Sequence, residues 1–137
     1  MKIHITENVE KSIVGFSMIP VIYGKVELDI VPDNGALEIF VENLDQINYD
    51  HVEEFLINIR NKTRKNGTVI ISGTELSLLS RNVAFNKITS KDFNSLITNK
   101  KGLHKVHDIV NLLKLNGLMI QDVMIKGNIY GIKASRP

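Results

Sequence analysis

Apolar and polar residues recur along the chain with two different periods, and the changes of period divide it into elements. Met1, Ile3 and Ile5 alternate with Lys2, His4 and Thr6, which predicts a strand over Met1–Thr6. Glu7–Lys11 is a polar break. Val14–Tyr23 gathers β-branched and aromatic residues around Pro20, which fits a short edge strand because proline withholds a ladder donor. A further short strand is expected near Lys25–Ile30. Pro32-Asp33-Asn34-Gly35 signals a turn. The apolar run Ala36–Val41 that follows reads as a buried parallel strand.

The period then lengthens. Asn48 or Asp50 is placed to cap a helix whose Val52, Phe55, Leu56 and Ile59 fall on one face. Glu53 and Glu54 come early in it, and the bases Arg60, Lys62, Arg64 and Lys65 come late, as the helix dipole prefers. Asn66-Gly67 is expected to end this helix, with Gly67 as the left-handed cap. Thr68–Ser72 reads as a central strand. Gly73-Thr74 is expected to open a helix carrying Leu76, Leu79 and Val83. Thr89, with Asp92 as the reciprocal acid, is expected to cap another. Asn99–Gly102 is a polar loop. Val106, Ile109, Val110 and Leu113 mark a third strong helix that ends at Asn116-Gly117. Leu118–Ile125 and Ile129–Ala134 are strands joined by a turn at Gly127-Asn128. The alternation predicts an α/β sandwich with a mainly parallel sheet ending in an antiparallel hairpin, in one domain over 1–137. Val52, Phe55, Ile59, Val69, Ile71, Ile109, Leu113 and Ile120 are the expected core.

Composition narrows the function classes. The 17 basic and 15 acidic side chains leave a net charge of +2, too balanced for a nucleic-acid signature. The basic cluster at 60–65 serves either the helix end or a phosphate-binding patch. With no cysteine, disulfides, thiolate catalysis and thiolate metal sites are excluded. The N-terminus has no apolar h-region, and Gly15, Ser17 and Pro20 interrupt the longest apolar stretch, so a cytoplasmic protein without a membrane span is expected. There is no GxGxxG, P-loop or GxSxG, so no nucleotide or serine-hydrolase signature is present. His104 and His107 share one helix face, as a metal pair or as solvated surface residues. His4 and His51 have no partner nameable from sequence. Ser72, Gly73, Thr74 and Glu75 follow a strand, as a plain helix cap or as an anion site.

The order of elements is that of a Rossmann-like sheet closing on a hairpin, and the residues carry more than the order. PDNGALEIFVENLDQI at 32–47 resembles the stretch PDNSxDEI…VLEHI of class I S-adenosylmethionine-dependent methyltransferases. VEEFLINIRNKTRKNGTVIISG at 52–73 resembles that family's leucine-rich helix, LKPGG turn and apolar strand, with Lys65-Asn66-Gly67 in place of Lys-Pro-Gly. LLKLNGLMIQDVMIKGNIYGIKASRP resembles its last helix, "aGF" turn and two final strands. The resemblance runs from Pro32 to the end, and short proteins of this kind occur among bacteria and their phages, with a phage or marine-microbial source in keeping.

The first third departs from the family. A compact subgroup begins near MKLNLGCG and continues with GWINID. Here Thr6, Glu7 and Asn8 stand in place of Gly-Cys-Gly, and Pro20 stands about where the ribose-binding acid belongs. Glycines there let the backbone approach the cofactor. The resemblance places the cofactor site at Thr6, Glu7, Asn8, Glu42, Asn43, Asp45 and Gln46, with Asp45 and Gln46 matching Glu and His of "LEHI". Read without the resemblance, Glu42–Gln46 either form a site at a strand end or merely cap a loop. The expectation is a methyltransferase-like module that has lost S-adenosylmethionine binding and acts through other contacts, with no cofactor. The alternative is an active methyltransferase of unknown acceptor using S-adenosylmethionine. A homodimer through the apolar segment Ile13–Tyr23 is also expected.

Overall fold

The computed structural model describes residues 1–8, 10 and 13–137. The expected polar break falls partly outside them, since Val9 and Lys11 are not among the described residues. Seven strands form one sheet: β1 (Lys2–Thr6), β2 (Ser17–Ile22), β3 (Lys25–Val26), β4 (Ala36–Val41), β5 (Thr63–Thr74), β6 (Met119–Lys126) and β7 (Ile129–Ser135). Four α-helices accompany them among the described residues: α1 (Val52–Lys62), α2 (Leu76–Ala84), α3 (Ser90–Ile97) and α4 (Val106–Leu115). The strand order is β3-β2-β1-β4-β5-β7-β6. β2, β1, β4 and β5 run parallel, while β7 is antiparallel to both its neighbours. This is the expected mainly parallel α/β sheet with a terminal hairpin.

Alternation assigns the faces. Ile3, Ile5, Ile39, Val41, Val69, Ile71, Ile132 and Ala134 point to one side, where Val52, Phe55, Leu56 and Ile59 of α1 and Ile109 and Leu113 of α4 bury them. Each buried Val, Leu, Ile or Phe side chain among them contributes about 1.5–3 kcal/mol. On the other side Phe40 and Ile70 are half-buried and Lys133 is exposed. No α-helix joins β1 to β2, β2 to β3 or β3 to β4 among the described residues, so β1 buries residues on both its faces without one. No helix among the described residues is long and apolar enough to cross a membrane.

Several boundaries differ from expectation. β2 is not the edge strand, but β3 pairs only with Val21 and Ile22, so Pro20 meets no ladder partner on that side. β3 stops at Val26 because Leu28 and Val31 turn into the core. α1 ends at Lys62, not at Asn66-Gly67, and its cap is Thr63, whose Oγ1 donates to the Ile59 carbonyl at 2.7 Å. Asn66-Gly67 is instead an irregularity inside β5, where pairing jumps from Ala36–Thr63 to Glu38–Thr68. Asn66 takes the positive φ, at 64°. Gly67 is required by contact, since a Cβ there would stand 2.8 Å from the Arg64 carbonyl oxygen. Arg64 and Lys65 therefore belong to a strand, and only Arg60 and Lys62 lie in the last helical turn. Ser72–Thr74 remain in β5, and α2 begins after Glu75. Thr89 accepts from the Asp92 amide as a cap, and Gly117 takes a φ of 81° after α4. Of the expected core only Ile120, on the outermost strand, is partly buried rather than buried.

Candidate functional site

Parallel strands bring their carboxyl ends to one edge of the sheet, where α/β folds bind ligands. The register sets Thr6 beside Pro20, and Val41 beside Ile5 and Ile71. The expected cofactor positions therefore do converge. Thr6 is buried, and its Oγ1 donates to Glu42 Oε2 at 2.5 Å while accepting from the Asn8 amide at 3.1 Å. His4 lies below them, buried, with Nε2 3.5 Å from the same Glu42 oxygen and its ring against Phe40. Asn43, at a φ of 90°, turns the chain sharply into a 3-10 turn over Leu44–Gln46, and its amide donates to Ser72 Oγ at 3.2 Å.

A cleft of about 330 Å³ opens at this edge, lined by Glu7, Val21–Gly24, Gln46, Asn99 and Lys101. Of the expected positions, Glu7 and Gln46 line it, while Thr6 and Glu42 bond to each other and are not among its lining. With its amide set so that both ends find partners, Gln46 donates to the Glu7 carboxylate and to the Asn99 carbonyl at 2.9 Å, and accepts from Asn43 Nδ2 at 3.2 Å. Glu7 thus spans from the end of β1 to the turn after β4. Pro20 lies inside β2 opposite Thr6, so the strand end is formed by Ile22 and Tyr23, neither of which is acidic.

Asp45 faces away from this cleft's lining and into the protein. Only 1% exposed, its carboxylate accepts from the Thr74 amide at 3.0 and 3.1 Å and holds Lys100 Nζ at 2.9 Å. Its own carbonyl accepts from the amides of Lys101 and Gly102. A Cβ on Gly73 would stand 2.6 Å from Tyr130 Oη and 3.0 Å from Asp45 Oδ1, so only glycine fits there. Tyr130 is fully buried; burial, then the Asp45 and Glu75 carboxylates, push its phenol well above the usual range. Glu75 binds the starts of two helices, Oε2 accepting from Leu78 N at 2.8 Å and Oε1 from Val106 N at 2.9 Å. Sequence patterning marked Glu75 as a helix start, but gave no sign of its second helix or of Lys100, whose partners lie far along the chain.

His104 and His107 do not act as a pair. His104 precedes α4, is bridged to Glu75, and stacks on Tyr49 at 5.2 Å between ring centroids. His107 is exposed on α4, 3.1 Å from Asn111 Nδ2. Among the described residues no group of three or more His, Asp or Glu side chains is placed to hold a metal. Burial lowers the pKa of His104 from 6.5, against the opposing pull of Asp45 and Asp108. The unfolded chain then takes up this proton more readily than the folded one. Stability from His104 is therefore complete above 6.5 and is lost as pH falls below it toward the lowered folded value. Urea midpoints measured through that range should decline with acid, and His104→Gln should flatten the decline; an unchanged slope would refute the assignment.

No protein-family model matches the chain, and no curated protein matches it significantly in sequence. Solved structures do match. An O-methyltransferase family protein from Burkholderia thailandensis superposes with a TM-score of 0.63 at 14% identity, over 88% of this chain and 36% of that one. A mitomycin 7-O-methyltransferase gives 0.55 at 15% identity, over 78% of this chain and 31% of that one. An S-adenosylmethionine-dependent methyltransferase from Mesorhizobium loti gives 0.63 at 11% identity, over 93% of this chain and 72% of that one. The chain spans about a third of the length of the first two. At such identities the likeness is one of fold, and it agrees with the strand order and the antiparallel position of β7: the chain has a class I S-adenosylmethionine-dependent methyltransferase-like fold.

Proposed function

We infer that this chain is a methyltransferase-fold module that works without S-adenosylmethionine, as a binding or interaction module rather than a catalyst. The observation that carries this reading is the Glu7 side chain, which stands in the cleft and is tied to Gln46 across it. The family's cofactor fits poorly among these residues. Where the backbone of glycines would meet the cofactor, the chain has a buried Thr6 engaged with Glu42 and a carboxylate at Glu7. A carboxylate there repels the cofactor's own methionine carboxylate. At the end of β2, Ile22 and Tyr23 offer no acid to the ribose hydroxyls, whose charge-assisted hydrogen bonds are worth about 1.5–3 kcal/mol.

Loss of those bonds alone weakens binding by about tenfold to a hundredfold. Isothermal titration with S-adenosylmethionine and with S-adenosylhomocysteine is expected to detect no affinity tighter than about millimolar. Micromolar binding of either would overturn the reading and favour an active methyltransferase. A double substitution, Glu7→Gly with Ile22→Asp, should raise affinity if those two positions are what exclude the cofactor.

A further inference from the structure

β6 forms one edge of the sheet, with β7 on its inner side and, among the described residues, no strand on its outer side. Met119, Val123, Met124 and Ile125 on it are 56%, 41%, 63% and 49% exposed, so apolar side chains stand open on both its faces. The opposite edge is blunted, since β3 is only two residues long. The irregularity in β6 lies between Ile120 and Asp122 and leaves 122–126 regularly paired. β6 contains no proline. A regular, apolar edge of this kind is a template for another strand.

The hairpin fixes which backbone groups face outward. The two-residue turn Gly127-Asn128, with Gly127 at a φ of 62°, makes Lys126 and Ile129 a hydrogen-bonded pair. Hydrogen-bonded pairs alternate along an antiparallel ladder, so Met124–Gly131 and Asp122–Lys133 are bonded too. Val123 and Ile125 therefore direct their N–H and C=O groups away from β7. Among the described residues those groups bond to no other segment of the chain.

We propose that β6 pairs antiparallel with β6 of a second copy about a two-fold axis at Met124, joining two sheets into one. Three registers near the middle of 122–126 set an outward-facing Val123 or Ile125 against an outward-facing residue of the same pair in the second copy, with the axis at Val123, Met124 or Ile125. The axis at Val123 sets Asp122 against Met124 of the partner subunit. The axis at Ile125 sets Met124 against Lys126 of the partner subunit. Only the axis at Met124 sets Asp122 against Lys126 of the partner subunit, and symmetry repeats that pair. It also matches Val123 with Ile125 of the partner subunit twice, and brings the two Met124 side chains together. Opposite charges and apolar pairs directly across a ladder stabilise it, and like charges oppose it. The charged pairs occupy non-hydrogen-bonded positions, where side chains approach most closely. The surface is self-complementary, as a two-fold contact requires.

Sedimentation of the full chain from low to high micromolar concentration should reveal a species of twice the chain mass. Met124→Lys places like charges together at the axis and should weaken association about tenfold or more. K126D sets two carboxylates against each other at both symmetric pairs and should weaken it about tenfold, while D122K/K126D should restore it to within about threefold. All these side chains are exposed, and circular dichroism with thermal melting verifies that each variant folds; should Met124→Lys fail to fold, the charge reversal still decides. A monomer at every concentration would overturn the proposal. So would a dimer indifferent to M124K and K126D, as one formed through Ile13–Tyr23 would be, or a charge reversal that fails to restore association.

Discussion

Replacing Asp45 with alanine is expected to lower the stability of the fold by about 2–4 kcal/mol, read as a shift of the urea midpoint without a change of slope. Its carboxylate accepts from the Thr74 amide, with no other side-chain acceptor for it among the described residues, and Thr74 is 9% exposed. An amide left unpaired in such a place costs about 1–3 kcal/mol. Lys100 loses its partner as well, but its side chain is 19% exposed and can turn to water. That escape keeps the total from the upper end of the about 3–5 kcal/mol typical of breaking a fully buried pair. Asp45→Asn retains an acceptor for Thr74 and nearly the same volume, so about half the loss should return. A change below about 0.5 kcal/mol for the alanine variant, the range of an ordinary surface substitution, would contradict this account.

Glu75→Ala is expected to cost about 2–3 kcal/mol, because one side chain caps two helices and each cap is worth about 1 kcal/mol. Glu75 is 4% exposed, so water cannot readily replace its carboxylate at either the Leu78 or the Val106 amide. Hydrogen exchange at those two amides should accelerate together. Acceleration at Leu78 alone would mean that α4 has a different N-terminal partner. Glu75→Gln offers one acceptor oxygen in place of two and turns an N–H₂ toward a donor, so it should protect only one of the two helix starts.

Periodicity alone located β1, β4, α1, α4 and the terminal hairpin, because each has an uninterrupted apolar face matched to one layer of the sandwich. It misplaced the end of α1 for a physical reason. Asn66-Gly67 has the composition of a helix stop, but the same positive φ also serves a bulged strand, and the pairing of β5 with β4 selects the strand. It overextended β3 because Leu28 and Val31 read as strand residues, whereas they serve as loop anchors in the core. At the site, the resemblance named Thr6–Asn8 and Glu42–Gln46, and the parallel register brings these stretches to one edge of the sheet. What Asp45 binds, and the second helix that Glu75 binds, was not legible. The Thr74 and Val106 amides stand 29 and 31 residues from these carboxylates, and no local spacing rule joins a carboxylate to a backbone amide at that distance. The Glu7–Gln46 contact was hidden for the same reason.

The last strand in sequence, β7, is inserted between β5 and β6. β6 is made before β7 and, among the described residues, pairs with no other strand, so during synthesis it must wait for Ile129–Ser135 to emerge. Until then β5 also lacks its partner on that side, and the outward backbone groups of Val69 and Ile71 are an open edge. Closing the sheet in this order makes folding depend on late, non-local pairing, which slows it. The interval in which two apolar strands are unpaired is the period of greatest exposure to aggregation, and chaperone dependence should concentrate there.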